Sequence, residues 1–215
     1  MAAAEAAAKR ALIERRERKG NPKVYFDVSV KHHADATTEY GGRIEFVLYA
    51  HESPRHAENF RAMCTGEKGG GHTFKNMRFY RIIDMFIDQA GQGPGSIWGG
   101  SFDDDPGGLK LKHERPGLLS AANGGPDTNS GHFSIVVSPA PHLDGGYTIF
   151  GEVVSGWDTM MAINKLDKKH KGTATVTEAG CLANCEPRPE VGAKCKTREE
   201  GQRPVQGRMM HPCVD

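Results

Sequence analysis

Glycine is the residue that most limits what this chain can become, and its placement matters more than its amount. Of 27 glycines, fourteen lie between residues 85 and 151, and none precedes residue 20. Together with 12 prolines, they punctuate the chain too often for long helices, since glycine is a poor helix former and proline removes a backbone donor. Helical repeats and coiled coils are excluded. No run approaches the roughly 18 apolar residues of a membrane-spanning helix. Lys and Arg number 28 against 27 Asp and Glu, so the basic surplus of a dedicated nucleic-acid binder is missing. The expectation is a soluble, turn-rich and strand-rich domain with no membrane contact and no nucleic-acid partner.

The same glycines divide the chain. Residues 1–20 are strong helix formers up to Gly20, where Gly20-Asn21-Pro22 ends the pattern. Leu12 and Ile13 are the only large apolar residues there after Met1, and Glu5, Glu14 and Glu17 are wrong for a transit peptide. This segment reads as a helical extension, solvated or docked on a partner. Residues 22–183 read as the folded domain. An apolar/polar alternation at 24–30 predicts a strand, and 43–50 a second. Ser53-Pro54 then offers an N-cap and an N1 proline to a helix carrying Ala57, Phe60, Arg61 and Cys64 at helical spacing, stopped by Gly66. Short strands are expected at 79–83, 86–89, 118–121, 132–138, 147–154 and 173–178, with a second helix over 157–166. The fold class is mainly β: an antiparallel barrel or sandwich closed at its ends by helices. Residues 184–215 read as an irregular tail containing cysteine and proline.

Motifs narrow this further. The run Glu58-Asn59-Phe60-Arg61-Ala62-Met63-Cys64-Thr65-Gly66-Glu67-Lys68-Gly69 closely resembles the cyclophilins, a family of peptidyl-prolyl cis–trans isomerases. Phe79-Tyr80-Arg81-Ile82-Ile83 with Phe86 and Gln89 follows in register. So do Ser96-Ile97-Trp98-Gly99, Gly117-Leu118-Leu119-Ser120-Ala121-Ala122-Asn123, His142-Leu143-Asp144-Gly145 and Phe150-Gly151. The resemblance covers about residues 22–183 and implies an eight-stranded antiparallel barrel capped by two helices.

It also implies a chemistry that needs no cofactor and no metal. Amide resonance sets a barrier of about 18–20 kcal/mol to rotation about an X–Pro bond. A catalyst must hold the proline and offer a donor to the prolyl nitrogen as the bond twists, a task that suits a planar, permanently charged guanidinium. By resemblance, Arg81 is the catalytic arginine. Phe86 and Leu143 look like walls of the proline pocket, Gln89 like a ligand for the substrate backbone, and Ala122 and Asn123 like the lining of the neighbouring groove.

Several positions depart from the family pattern. Ile87 stands where the family has a methionine, Ser134 where it has a second pocket phenylalanine, His132 for a glutamine, His142 for a tryptophan and Tyr147 for a histidine. The change at Ser134 removes an apolar surface on the order of 150 Å². Reduced turnover on proline peptides is therefore expected.

Cys181, Cys185, Cys195 and Cys213 with His211 lack the paired C-x2-C knuckles of a zinc site. They are expected to be free thiols in a reducing compartment, ahead of a metal site or a disulfide. Two functions are compatible with these residues. One is an isomerase acting on proline-containing protein clients in the cytoplasm. The other is a weakly catalytic X–Pro-binding subunit of a large assembly, held there by the N-terminal helix and the C-terminal tail. The chain looks similar to the diverged cyclophilins of ciliary radial spokes, which would place it in the axoneme.

Overall fold

Alternation at the start of the domain becomes a strand because it buries one side only. The computed structural model describes residues 2–32, 39–91, 95–166, 172–188 and 191. Within β1 (Lys23–His32), Val24, Phe26, Val28 and Val30 are buried while their neighbours face outward. Seven further strands follow: β2 (Glu39–Leu48), β3 (Arg81–Ile83), β4 (Ile87–Ala90), β5 (Leu118–Ala121), β6 (Phe133–Val136), β7 (Ile149–Ser155) and β8 (Gly172–Ala183). They form one antiparallel sheet in the order β3-β4-β6-β5-β7-β2-β1-β8. Its two ends curl together, where Arg78 bridges Thr175 and the amides of Asn76 and Phe79 donate to the Val176 and Ala174 carbonyls. The expected eight-stranded antiparallel barrel is what forms.

Helices α2 (Pro54–Thr65) and α4 (Trp157–Asn164) pack on the sheet as expected, and α1 (Ala2–Glu17) is the N-terminal extension. A one-turn helix, α3 (Pro106–Leu109), was not anticipated. Gly66 ends α2 in the left-handed region at φ 68°, its amide donating to the Ala62 carbonyl. Ser53 does not cap α2 as its position suggested. Its hydroxyl donates instead to the Ile149 carbonyl at 2.7 Å, fastening the helix entrance to β7.

The interior is aromatic. Phe26, Phe46, Phe60, Phe74 and Phe133 meet with ring centroids between 4.8 and 6.0 Å apart, the edge-on and tilted geometry that ring quadrupoles favour. A smaller second core lies on the opposite face of the sheet, built from Val47, Tyr49, Ile87, Leu118, Val136, Ala140 and Ile149. It is this second layer that underlies the candidate site.

The cysteine expectation fails for one pair. Cys181 and Cys185 form a disulfide. Strand β8 runs five residues beyond the expected 173–178, and Asn184 at φ 54° then turns the chain back. That turn leaves the two Cα atoms 5.8 Å apart, within bridging range. Cys64 is the free, buried thiol among the described residues. Cys195, His211 and Cys213 lie outside them, as does most of the tail. Among the described residues there is no grouping of side chains suited to a metal ion, and no helix is long and apolar enough to cross a membrane.

Candidate functional site

Sheet register places the candidate residues in two cross-strand rows on the face opposite the aromatic core. In the first row Arg81 lies opposite Gln89, Gln89 opposite Ser134, and Ser134 opposite Ser120. In the second, two residues along, Ile83 faces Ile87, Ile87 faces Val136, and Val136 faces Leu118. Period-two alternation keeps both rows on one side. The first row is polar and the second apolar.

Arg81 is exposed, with Nη1 3.5 Å from Gln89 Oε1. It makes no ion pair among the described residues, so most of its donors stay available to a ligand. Gln89 is half-buried. Ser134 is 6 % exposed and supplies a small hydroxyl where an aromatic wall was expected to be missing. Ser120 Oγ is held 2.9 Å from Nε2 of the fully buried His113, whose Nδ1 lies 3.0 Å from Asp144 Oδ1. Burial lowers the His113 pKa, with Asp144 pulling the other way. The His113 amide also donates to Asp144, which holds the Asp144 carboxyl below its usual range. This relay ties β5 to the turn that carries His142 and Leu143. His113 was not anticipated from sequence; its partners lie 7 and 31 residues away.

The apolar wall is made by a hairpin and a turn. Between β3 and β4 the chain passes through Met85 at φ 51°, a conformation that non-glycine residues rarely adopt. Asn164 of α4 stabilises it: Oδ1 accepts from the Met85 amide at 2.9 Å, and Nδ2 donates to the Ile83 carbonyl and to Asp88 Oδ1. The Val137 amide donates to the Phe86 carbonyl at 2.8 Å, fixing the hairpin against β6. Phe86 then faces His142 with ring centroids 5.1 Å apart. Phe86 and Leu143 both pack on the second core. Ile87 is buried within that core, so it supports the wall from beneath rather than forming its surface.

The remaining candidates form a separate edge. Tyr80 Oη lies 3.1 Å from His132 Nδ1. Burial lowers the His132 pKa and raises that of Tyr80. The Ala122 amide donates to the His132 carbonyl at 3.2 Å. Gly91 must be glycine here: at φ 138°, a Cβ would stand 2.4 Å from His132 Cα. Asn123 turns its side chain to Asn129 Oδ1 and the Gly125 amide, so it braces its loop. The Tyr147 amide donates to the Leu143 carbonyl.

The arrangement is an open surface with a guanidinium at one side, hydrogen-bonding groups along one row and an aromatic–aliphatic wall beside it. The Ser120–His113 pair within it is buried and closed to solvent. Such a surface can orient and polarise a bound chain without forming a covalent bond to it. A family model described as cyclophilin type peptidyl-prolyl cis-trans isomerase/CLD matches residues 33–185.

Proposed function

The chain belongs to the cyclophilin-type peptidyl-prolyl cis–trans isomerase family, and on that premise we propose that it isomerises X–Pro bonds of protein clients more slowly than members with a full aromatic pocket. The observation that carries this reading is the row Arg81–Gln89–Ser134 beside Phe86. Arg81 offers donors to the prolyl nitrogen, whose lone pair localises as the amide twists out of resonance. Gln89 orients the peptide backbone, and Phe86 with Leu143 receives the ring. Ser134 cannot enclose the ring as an aromatic would. An apolar area of about 150 Å² at about 25 cal/mol/Å² amounts to roughly 4 kcal/mol of lost contact.

Peptide isomerisation by the wild type and by Arg81→Ala tests this. A rate above the uncatalysed one that falls to background in Arg81→Ala is expected. Equal rates for the two proteins would remove Arg81 from the mechanism and leave at most a binding role.

A second reading has its own support. Helix α1 and the start of the tail are both fastened to the barrel, and they enlarge its surface without touching Arg81. A weakly catalytic X–Pro-binding subunit of a large assembly, such as a ciliary radial spoke, would use that enlarged surface. Stoichiometric retention in a salt-resistant particle, alongside negligible turnover, would favour it. A free monomer with good turnover favours the enzyme.

A further inference from the structure

A second site lies away from Arg81, where α1 meets the barrel. There a cavity of ≈ 180 Å³ is lined by Arg15 from α1 and by Lys110, Lys112 and Arg115 from the barrel. Tyr49, Leu111, Leu118 and Ile149 also line it, and all but Leu111 are fully buried. Among the described residues, the one carboxylate in its lining is Glu114, which is mostly exposed and 3.8 Å from Arg115.

The cations around this cavity outnumber the carboxylates that could neutralise them. Glu152 is shared by Arg115 and Arg16, and Glu52 by Arg15 and Arg18. Lys112 reaches Asp144 at 3.4 Å, while Lys110 makes no ion pair among the described residues. Two guanidinium donors are also left without a hydrogen bond. Arg15 Nε and Arg115 Nε are both buried without a hydrogen bond, as is Glu52 Oε2. Arg15 Nε stands 3.5 Å from Glu52 Oε1 as an ion pair, whereas Arg115 Nε is left with no acceptor among the described residues. A buried donor without an acceptor is costly and rare in folded proteins. Arg115 Nε, from a residue lining a cavity whose cations exceed its carboxylates, points to an absent acceptor.

We propose that this cavity binds a phosphate monoester or inorganic phosphate, with Arg15 and Arg115 as its guanidinium ligands and Lys110 and Lys112 at its rim. Arginine matches the geometry of phosphate oxygens, and a dianion answers the local excess of positive charge. The volume admits one phosphate group and a short stem, well below the 300–1,000 Å³ typical of drug-sized ligands. The apolar lining suits an ester carbon better than a second charge. Because Arg15 belongs to α1, the bound anion would also tighten α1 on the barrel. The site is inferred without reference to proline-peptide binding, so either reading can fail without the other.

Amide chemical shifts of the full chain, titrated with inorganic phosphate and separately with a phosphoserine peptide, provide the test. Saturable shifts at Arg15, Tyr49 and Arg115 are expected, with about tenfold weaker binding in the Lys110→Ala/Lys112→Ala double variant. Both lysines are exposed, and the ion pair of Lys112 is to Asp144 rather than to α1, so the spectrum should otherwise retain the native dispersion. Tighter binding of the peptide identifies a phosphorylated side chain as the source, and tighter binding of the free ion identifies phosphate itself. The proposal is overturned if no shift saturates, if chloride at equal ionic strength gives the same shifts, or if the double variant binds as the wild type does.

Discussion

Arg16 and Glu152, 136 residues apart, form a bidentate ion pair with N–O distances of 2.6 and 2.7 Å. The pair ties α1 to the middle of β7. Glu152 sits directly across from both Leu118 and Val47, so the second apolar row of the candidate site leads to the residue that anchors the helix. Burial pushes the Glu152 carboxyl up, but hydrogen bonds from Arg16 and Tyr49 and the charge of Arg115 hold it below its usual range.

Glu152→Gln should release α1. Removing one partner of a buried pair costs about 3–5 kcal/mol, and the partial exposure of Arg16 lowers the figure expected here to about 2–3 kcal/mol. Urea denaturation measures the loss, and limited proteolysis should show faster cleavage within residues 10–20. A variant as stable and as resistant as the wild type would mean that α1 is held by other contacts.

Ser134→Phe should restore part of the proline pocket. The gain expected in kcat/KM is about tenfold or more, provided the ring finds space beside Gln89 and Ser120. Comparing peptide turnover of the variant with the wild type decides this. An unchanged or lower rate in a folded variant would show that Ser134 is not what limits catalysis.

Asp88 should make stability depend on pH. Its carboxyl is fully buried between β4 and α4, with Oδ2 unpartnered, and burial raises its pKa to about 7 despite the hydrogen bond from Asn164. The native state therefore holds this proton where the unfolded chain, with a pKa near ~3.9, has released it. Its contribution is fully present below about pH 4 and is lost as pH rises through about 7. At about 1.4 kcal/mol per pKa unit, the change is on the order of 4 kcal/mol. Asp88→Asn should remove that slope and stabilise the protein at pH 8. Denaturation midpoints at pH 5 and pH 8 report it; a gap of the same size in the variant would assign the dependence to other groups.

Reduction should loosen the chain beyond β8. The Cys181–Cys185 bridge spans a sequence separation of 4, so its loop-closure contribution is small, about 2 kcal/mol. The bridge holds the Cys185 carbonyl 2.9 Å from Nη1 of the fully buried Arg61, which also pairs with Glu58 and Glu67. A lower thermal midpoint in reductant is expected, with Cys181 and Cys185 alkylated only after reduction. Cys64, a buried thiol whose pKa burial raises well above its ordinary value, should resist alkylation until the protein unfolds. Labelling of Cys181 or Cys185 without reductant would contradict the bridge.

The elements were largely legible because their patterns are local. A strand alternates with period two and a helix with period 3.6, so β1, α2 and α4 follow from neighbouring residues alone. Arg81, Phe86 and Gln89 could be picked out because they sit close together in an ordered motif. The failures share one cause. Ser53 looked like a helix cap, yet the carbonyl it bonds lies 96 residues away. Cys181 and Cys185 looked unpaired because the turn at Asn184 has no local signature beyond a single asparagine.

What the sequence alone determined was the strand-rich barrel, its two capping helices and the family's retained motif residues. Backbone periodicity and turn chemistry act over a few residues and can be read there. Only the tertiary structure decided that Arg81, Gln89, Ser134 and Ser120 form one row, that His113 links Ser120 to Asp144, and that α1 lies on its own barrel. Those relations depend on register and on polar partners far apart in the chain, and a buried charge or donor shows its partner only once the fold has closed around it.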